Sequence, residues 1–379
     1  MPGRPAATAP PVSPITLNVS APRIVFYAVN GLGLGHVTRL LAIARAVRRQ
    51  ATEAEILFIT SSEADGVIYR EGFAAVKLPS KTIREACGLK KPTYLKMAQS
   101  VTWAALSSFN PDVLVVDTYP SGSFEELIPV LRWRQKNVFV FREQRRDTFQ
   151  SGLLMAALPL YDRLIVPHDD VAQVGELPEP HKARAVGPIL IRERKELLSR
   201  AAARTALGLP AEGLLFYASF GGGGDPEARR ALDLTARAVA AIPGAHLVIG
   251  AGPLARELPE SGTGVTVLAN RYPMLDALPA FDAAIAAAGY NTVHELLFAG
   301  IPSVLVPFER VLDDQEARVH SLAQAGACLA CAPLTASGLT EVVQQLADAD
   351  TRKRLAKRAK EVVKTNGAST AAKAILELA

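Results

Sequence analysis

The chain has 379 residues, 49% of them apolar, and a net charge of +5 from 42 basic and 37 acidic side chains. That is enough apolar material for two cores, and a small, evenly spread positive charge suits an anionic substrate or surface without suggesting a nucleic-acid partner. Cys87, Cys328 and Cys331 make no disulfide framework, and the uncharged runs from Ala238 to Ala255 and from Ser321 to Thr340 are broken by glycine and proline, so a reducing cytoplasm is expected and no membrane-spanning helix.

Residues 1–22 carry Pro2, Pro5, Pro10, Pro11 and Pro14 and no long apolar stretch, and read as a disordered tail rather than a signal peptide or anchor. Strand candidates then alternate with helical stretches, at Arg23–Val29, Glu55–Ile59, Asp112–Val116, Val138–Phe141 and Arg163–Val166. A second series follows at Leu214–Ser219, His246–Ile249, Val265–Leu268, Ala283–Ala287 and Ser303–Val306. This alternation predicts α/β architecture with parallel sheets covered on both faces. Phe26-Tyr27-Ala28 and Phe216-Tyr217-Ala218 open the two halves alike, each before a glycine-rich turn. The expected division is a first Rossmann-like domain over 23–187 and a second over 188–350, with Ala185-Val186-Gly187-Pro188 as the hinge. A charged helical segment over 351–379 packs across the outside.

The first turn, Asn30-Gly31-Leu32-Gly33-Leu34-Gly35-His36, enters a helix with Val37, Leu40, Leu41, Ala44 and Val47 on its buried stripe. A dinucleotide-binding G-x-G-x-x-G requires glycine at position 36, where helix and strand pack closely. Histidine stands there, so a dehydrogenase is disfavoured. A histidine opening a helix above the carboxyl ends of the strands is placed for chemistry. Asp117 closes the run Asp112-Val113-Leu114-Val115-Val116 and emerges at the same sheet edge. It either orients His36, fixing the tautomer and raising the basicity of the free nitrogen, or caps the turn from Thr118 to Gly122.

In the second half, Ser219-Phe220-Gly221-Gly222-Gly223-Gly224 lets main-chain N–H groups approach oxyanions. The most informative stretch is Ala287–Ala317, AAGYNTVHELLFAGIPSVLVPFERVLDDQEA. A strand runs into Gly289, and the helix after it opens with Asn291 and Thr292 as capping candidates, so its N-terminus suits a diphosphate. Glu295, one turn on, suits the two hydroxyls of a ribose. Thr292 to Glu295 also fits a capping box, and Gly300-Ile301-Pro302 is how a helix stops before a strand. Asp314-Gln315 follows a second apolar strand with side chains suited to sugar hydroxyls.

The ordered set G-x-N-T-x-x-E-x4-G-x-P-x4-P-x6-DQ resembles the donor signature of inverting GT-B glycosyltransferases, families 28 and 1, which include the lipid-linked N-acetylglucosaminyltransferases of peptidoglycan synthesis and natural-product glycosyltransferases. The resemblance implies two Rossmann-like domains facing across a cleft. It implies His36 as general base at the acceptor, with Gly33 and Gly35 beside it, and a nucleobase held near Asn270–Leu275, with Arg271 a donor contact. It also divides the labour: loops 79–100, 118–124 and 142–150 of the first domain, including Arg142, Arg145, Arg146 and the pair Lys90-Lys91, form the acceptor side. One departure is Ala287, where many natural-product relatives hold a pyrophosphate-binding histidine.

The expected reaction is one inverting, metal-independent displacement from a nucleoside-diphosphate sugar, UDP-sugar favoured, of the hexosyl or N-acetylhexosaminyl type. No cofactor beyond that co-substrate is expected, and Asp348-Ala349-Asp350 reads as a solvated helix face rather than a metal site. The acceptor is a small molecule or lipid-linked, with peripheral contact at the inner face of the membrane. A nucleotide-sugar 2-epimerase and a non-catalytic sugar-nucleotide binding protein stand as alternatives.

Overall fold

Runs such as Ile24–Ala28 and Val113–Val116 are fully buried along their whole length, so both faces of the strand need cover and a parallel sheet between helices is the outcome. The computed structural model describes residues 21–29, 33–143, 152–221, 226–253, 255, 260–310 and 313–379. It contains two such sheets.

The first comprises β1 (Arg23–Ala28), β2 (Glu55–Thr60), β3 (Ala74–Lys77), β4 (Val113–Asp117), β5 (Lys136–Val140), β6 (Arg163–Val166) and β7 (Ala183–Ala185), in the parallel order β3-β2-β1-β4-β5-β6-β7. The second comprises β8 (Leu214–Ser219), β9 (Ala245–Ala251), β10 (Val265–Ala269), β11 (Ala283–Ala287), β12 (Ser303–Val306) and β13 (Leu329–Ala330), in the parallel order β10-β9-β8-β11-β12-β13. Two parallel-sheet α/β domains are therefore present. In each, the strand order reverses once, between β1 and β4 and between β8 and β11. Loops leave the carboxyl ends of those neighbours in opposite directions, and the crevice between them is where such sheets bind ligands.

Sequence periodicity missed β3 and β7. Both are short edge strands; β3 has no fully buried residue, so no apolar run marks it. β4 runs one residue later than expected and includes Asp117, which pairs with Val140. β5 begins at Lys136 and ends at Val140, earlier than expected at both ends. The two-residue strand β13 lies between Cys328 and Cys331, both buried.

The helices are α1 (Gly35–Gln50), α2 (Gly66–Arg70), α3 (Lys81–Ala86), α4 (Lys91–Phe109), α5 (Gly152–Ala157), α6 (Arg200–Ala206), α7 (Pro226–Ala240), α8 (Tyr290–Ala299), α9 (Gln315–Gln324), α10 (Ala336–Ala347), α11 (Ala349–Val362) and α12 (Ala368–Leu376). The anticipated stripe of α1 is fully buried. Burial extends well beyond the stripe because α12 returns from the C-terminus to join the same core, through Ala368, Ala371, Ala372 and Ile375. Gln50 Nε2 donates to the Ser369 carbonyl at 2.9 Å, and Arg163 Nη1 to that of Ala374 at 2.5 Å, fixing α12 there. Each fully buried Leu or Ile at this contact contributes roughly 1.5–3 kcal/mol.

Candidate active site

α1 is the next element after β1 and has His36 in its first turn, while Asp117 ends the other switch-point strand, β4. His36 Nδ1 lies 3.3 Å from Asp117 Oδ2 and 3.0 Å from Thr118 Oγ1. The Thr118 hydroxyl donates to Asp117 Oδ1 at 2.9 Å, leaving its oxygen free to accept. Arg39 Nη2 also lies 3.4 Å from Nδ1, but the two nearer oxygens favour an N–H at that position, which leaves Nε2 as the proton acceptor. Thr118 takes a φ of 67°, a left-handed conformation that is uncommon for a β-branched residue.

Arg39 is a site residue not singled out from the sequence. One turn after His36, it is almost completely buried and grips Asp117 through Nε at 3.1 Å and Nη2 at 2.9 Å. Burial alone would raise the Asp117 carboxyl, but Arg39 and then His36 outweigh it and lower it to about 2. The only available signal was the spacing G-H-x-x-R, which puts His36 and Arg39 on one helix face.

A cavity of about 550 Å³ opens in front of His36, within the range of small-molecule sites. From the first sheet it is lined by Gly33, Gly35, His36 and Arg39; from the second by Gly221, Arg271, Gly289, Asn291, Thr292, Glu295, Asp313 and Gln315. Residues separated by up to 282 positions in the chain thus share one wall, from Gly33 to Gln315. Gly221 lies at φ 99°, a conformation that favours glycine. A larger cavity of about 1030 Å³ lies beyond the Arg318–Glu143 ion pair, and its lining includes neither His36 nor Glu295.

Helix α8 settles the capping question. Its N-cap is Gly289, with no side-chain cap, so Asn291 and Thr292 lie inside the first turn and Glu295 takes part in no capping box. The expected capping roles of Asn291 and Thr292 are therefore corrected. Their backbone N–H groups belong to the open N-terminal turn of the helix. At its other end Gly300, at φ 73°, stops the helix as anticipated, its N–H on the Leu297 carbonyl at 3.0 Å and that of Ile301 on Leu296 at 2.9 Å. Glu295 faces the cavity, and burial pushes its carboxyl up to about 8 despite Arg192 nearby. Asn291 Nδ2 donates to the Gly35 carbonyl at 3.1 Å, while its Oδ1 is buried without a partner.

The pair Asp314-Gln315 is placed differently from expectation. Asp314 is not on the cavity wall: it caps α9, accepting from the Ala317 N–H at 3.0 Å. Gln315 does line the cavity, but its amide is engaged, accepting from the Phe308 N–H at 3.0 Å and donating to Asp313 Oδ2 at 3.3 Å. The carboxylate that faces the cavity is Asp313, which sequence reading passed over. Arg318 and Arg142 hold it down against the upward effect of burial. Arg271 lines the cavity, donates to Asp276 Oδ1 at 3.1 Å and keeps a buried Nε unpartnered. Gly222, Gly223, Arg145 and Arg146 lie outside the described residues.

Asp348, the first aspartate of the D-x-D, caps α11 by accepting from the Thr351 N–H at 2.7 Å, and Asp350 sits in that helix's first turn beside Lys353. Among the described residues no group of three or more His, Cys, Asp or Glu side chains is arranged to hold a metal, and no helix is long and apolar enough to cross a membrane.

Residues 247–375 match the glycosyltransferase family 28 C-terminal domain. Over 96% of its length the chain is 26% identical to the UDP-N-acetylglucosamine–N-acetylmuramyl-(pentapeptide) pyrophosphoryl-undecaprenol N-acetylglucosamine transferase of Salinibacter ruber, covering 98% of that protein. Among solved structures, the glycotransferase of kitacinnamycin superimposes with a TM-score of 0.65 at 18% identity, over 94% of this chain and 99% of that one. MurG of Acinetobacter baumannii does so at 0.59 and 16%, over 94% and 99%. With the switch-point cavity and the glycine-capped helix α8, these likenesses make the chain a sugar transferase of the GT-B fold whose residues 247–375 form a family 28 C-terminal domain.

Proposed function

We propose that the protein transfers an N-acetylhexosamine from a UDP-sugar to an acceptor hydroxyl with inversion, and without a metal. The observation that carries this reading is the 3.3 Å approach of His36 Nδ1 to Asp117 on a cavity whose opposite wall is the N-terminal turn of α8. His36 Nε2 takes the proton of the acceptor hydroxyl, the freed oxygen attacks the anomeric carbon, and the bond from that carbon to the β-phosphate oxygen breaks. UDP leaves carrying the negative charge. Free N–H groups at Gly289–Thr292, the helix dipole and the turn at Gly221 stabilise that charge, each well-aimed donor contributing a few kcal/mol.

Glu295 receives the ribose hydroxyls, and the unpartnered Oδ1 of Asn291 accepts from a sugar hydroxyl. In this reading residues 23–187 present the acceptor, residues 188–350 hold the donor, and 351–379 strap the second domain to the first. The Salinibacter ruber relative is named for an acceptor carried by pyrophosphoryl-undecaprenol, and a lipid-linked acceptor suits this chain as well. Support comes from α3 and α4, where Ile83, Met97 and Val101 are 43%, 43% and 38% exposed beside the exposed Lys81, Lys90, Lys91 and Lys96. Apolar side chains set among lysines suit the interface of an anionic membrane, reached from its cytoplasmic side.

The test is a panel of UDP-sugars with and without a polyprenyl-pyrophosphate-linked acceptor, in the presence of EDTA, with the product's anomeric configuration read by NMR. Release of UDP together with an inverted glycoside is expected. A 2-epimerised sugar from donor alone, or retention at the anomeric carbon, overturns the reading.

A further inference from the structure

Helix α8 does more than present a terminus to the cavity: its first two residues both reach the helix that carries His36. Asn291 Nδ2 donates to the carbonyl of Gly35, the residue before His36, at 3.1 Å. Tyr290 turns its ring to Arg39, whose guanidinium carbon lies 5.4 Å from the ring centroid. A third contact falls between them, where Tyr272 OH donates to Thr38 Oγ1 at 3.0 Å. The donor half therefore holds α1 at Gly35, Thr38 and Arg39, on both sides of His36.

Tyr290 is itself fixed from several directions. It is 4% exposed, and its hydroxyl donates to the Pro167 carbonyl in the first domain. His168 packs edge-on at 5.4 Å, and the guanidinium carbons of Arg142 and Arg318 lie 5.9 and 5.6 Å from its ring centroid. Those two arginines cannot drift, because both are tied to Asp313, at 2.6 and 2.7 Å. Tyr290 thus occupies a fixed slot between the domains and gives Arg39 an aromatic surface to rest on.

We propose that Tyr290 and Asn291 are positioning residues that clamp the base-bearing helix to the donor loop, so that a donor seated at α8 meets an imidazole already aimed at its anomeric carbon. This rests on His36 being the base. The chain of contacts is short. Tyr290 supports the guanidinium of Arg39, that guanidinium fixes the Asp117 carboxylate, and Asp117 with Thr118 fixes the Nδ1 side of His36. Arg39 is almost wholly buried, so no solvent replaces the ring if it is removed. The guanidinium must then shift, and the carboxylate and imidazole shift with it.

The experiment uses the full chain labelled with ¹⁵N in its histidine rings, with the His36 signals assigned by their loss in His36→Ala. Without ligand, Tyr290→Leu is expected to move the His36 ring signals, whereas Tyr290→Phe, which keeps the aromatic face, leaves them near wild type. On titration with UDP, wild type and Tyr290→Phe respond at His36 and Tyr290→Leu does not. In transfer, Tyr290→Leu loses on the order of 10²-fold in kcat, the scale of a slight misplacement, with donor KM changed less than about threefold, as positioning without binding requires. Should Tyr290→Leu fail to fold, Asn291→Ala removes the other tether, and the ligand-free His36 signals are expected to move in it too. Unmoved His36 signals in folded Tyr290→Leu or Asn291→Ala overturn the clamp. Absence of any UDP binding by wild type would instead remove the donor reading, and the ligand-free comparison would still decide the clamp.

Discussion

Arg39 holds the Asp117 carboxylate in a forked grip, Nε and Nη2 donating to Oδ2 at 3.1 and 2.9 Å and Nη2 reaching Oδ1 at 3.2 Å. The aspartate is thus shared between a permanent cation and the imidazole. Its first task is to neutralise Arg39; orienting His36 is the second.

Asp117→Asn should therefore be costly to stability as well as to activity. Removing one partner of a buried pair leaves the other charge uncompensated, typically costing about 3–5 kcal/mol. The sign follows from the lowered carboxyl: its stabilisation is complete above the ordinary value of 3.8 and is lost as pH falls through about 2. Urea unfolding should show the wild-type advantage at pH 7 shrinking below pH 4. Arg39→Met combined with Asp117→Asn should cost less than the sum of the two single changes; strict additivity would mean that the pair is not coupled.

His36→Ala should lower transfer by roughly 10²–10⁴-fold, the usual loss for a general base. UDP affinity, measured by calorimetry, should stay within about threefold of wild type, since the ring faces the acceptor side. Near-normal transfer by this variant across the pH range would place the base elsewhere.

Glu295→Gln separates ribose binding from local structure. The wild-type carboxyl is raised in the fold, so folded-state stability falls as pH climbs from about 4.5 toward 8, and the glutamine variant lacks that penalty. The variant should melt higher than wild type at pH 8 and close to it at pH 4, while binding UDP more weakly. If the ribose hydroxyls bind the ionised carboxylate, wild-type UDP binding should also release protons between pH 6 and 8, visible as a buffer-dependent calorimetric enthalpy. Unchanged UDP affinity in Glu295→Gln would take Glu295 out of the donor site.

Charge reversal at Lys90, Lys91 and Lys96 should abolish co-sedimentation with vesicles rich in phosphatidylglycerol while leaving UDP affinity intact. Wild-type binding should fall as salt is raised from 0.1 M, where the screening length is about 10 Å, to 1 M, where it is about 3 Å. Binding that is insensitive to salt and to reversal would leave only the apolar contribution of Ile83, Met97 and Val101.

By itself the sequence determined the two-sheet α/β architecture, because strands buried on both faces must be apolar throughout and that composition is visible in Val113–Val116 or Ala283–Ala287. It also marked His36, Gly289 and Glu295 as candidates, although a glycine or polar residue at a helix start serves as readily to cap the helix, as Gly289 does. Tertiary structure alone decided what those residues meet. Arg39 and Asp117 are 78 residues apart, and Asn291 and Gly35 are 256 apart; no local pattern encodes such pairs, which exist only because parallel sheets bring the ends of β1, β4, β8 and β11 to one crevice. Asp313 and Asp314 show the same limit on the smallest scale. Adjacent carboxylates are indistinguishable in sequence, and only the direction in which the chain enters α9 turns one to the helix cap and the other to the cavity.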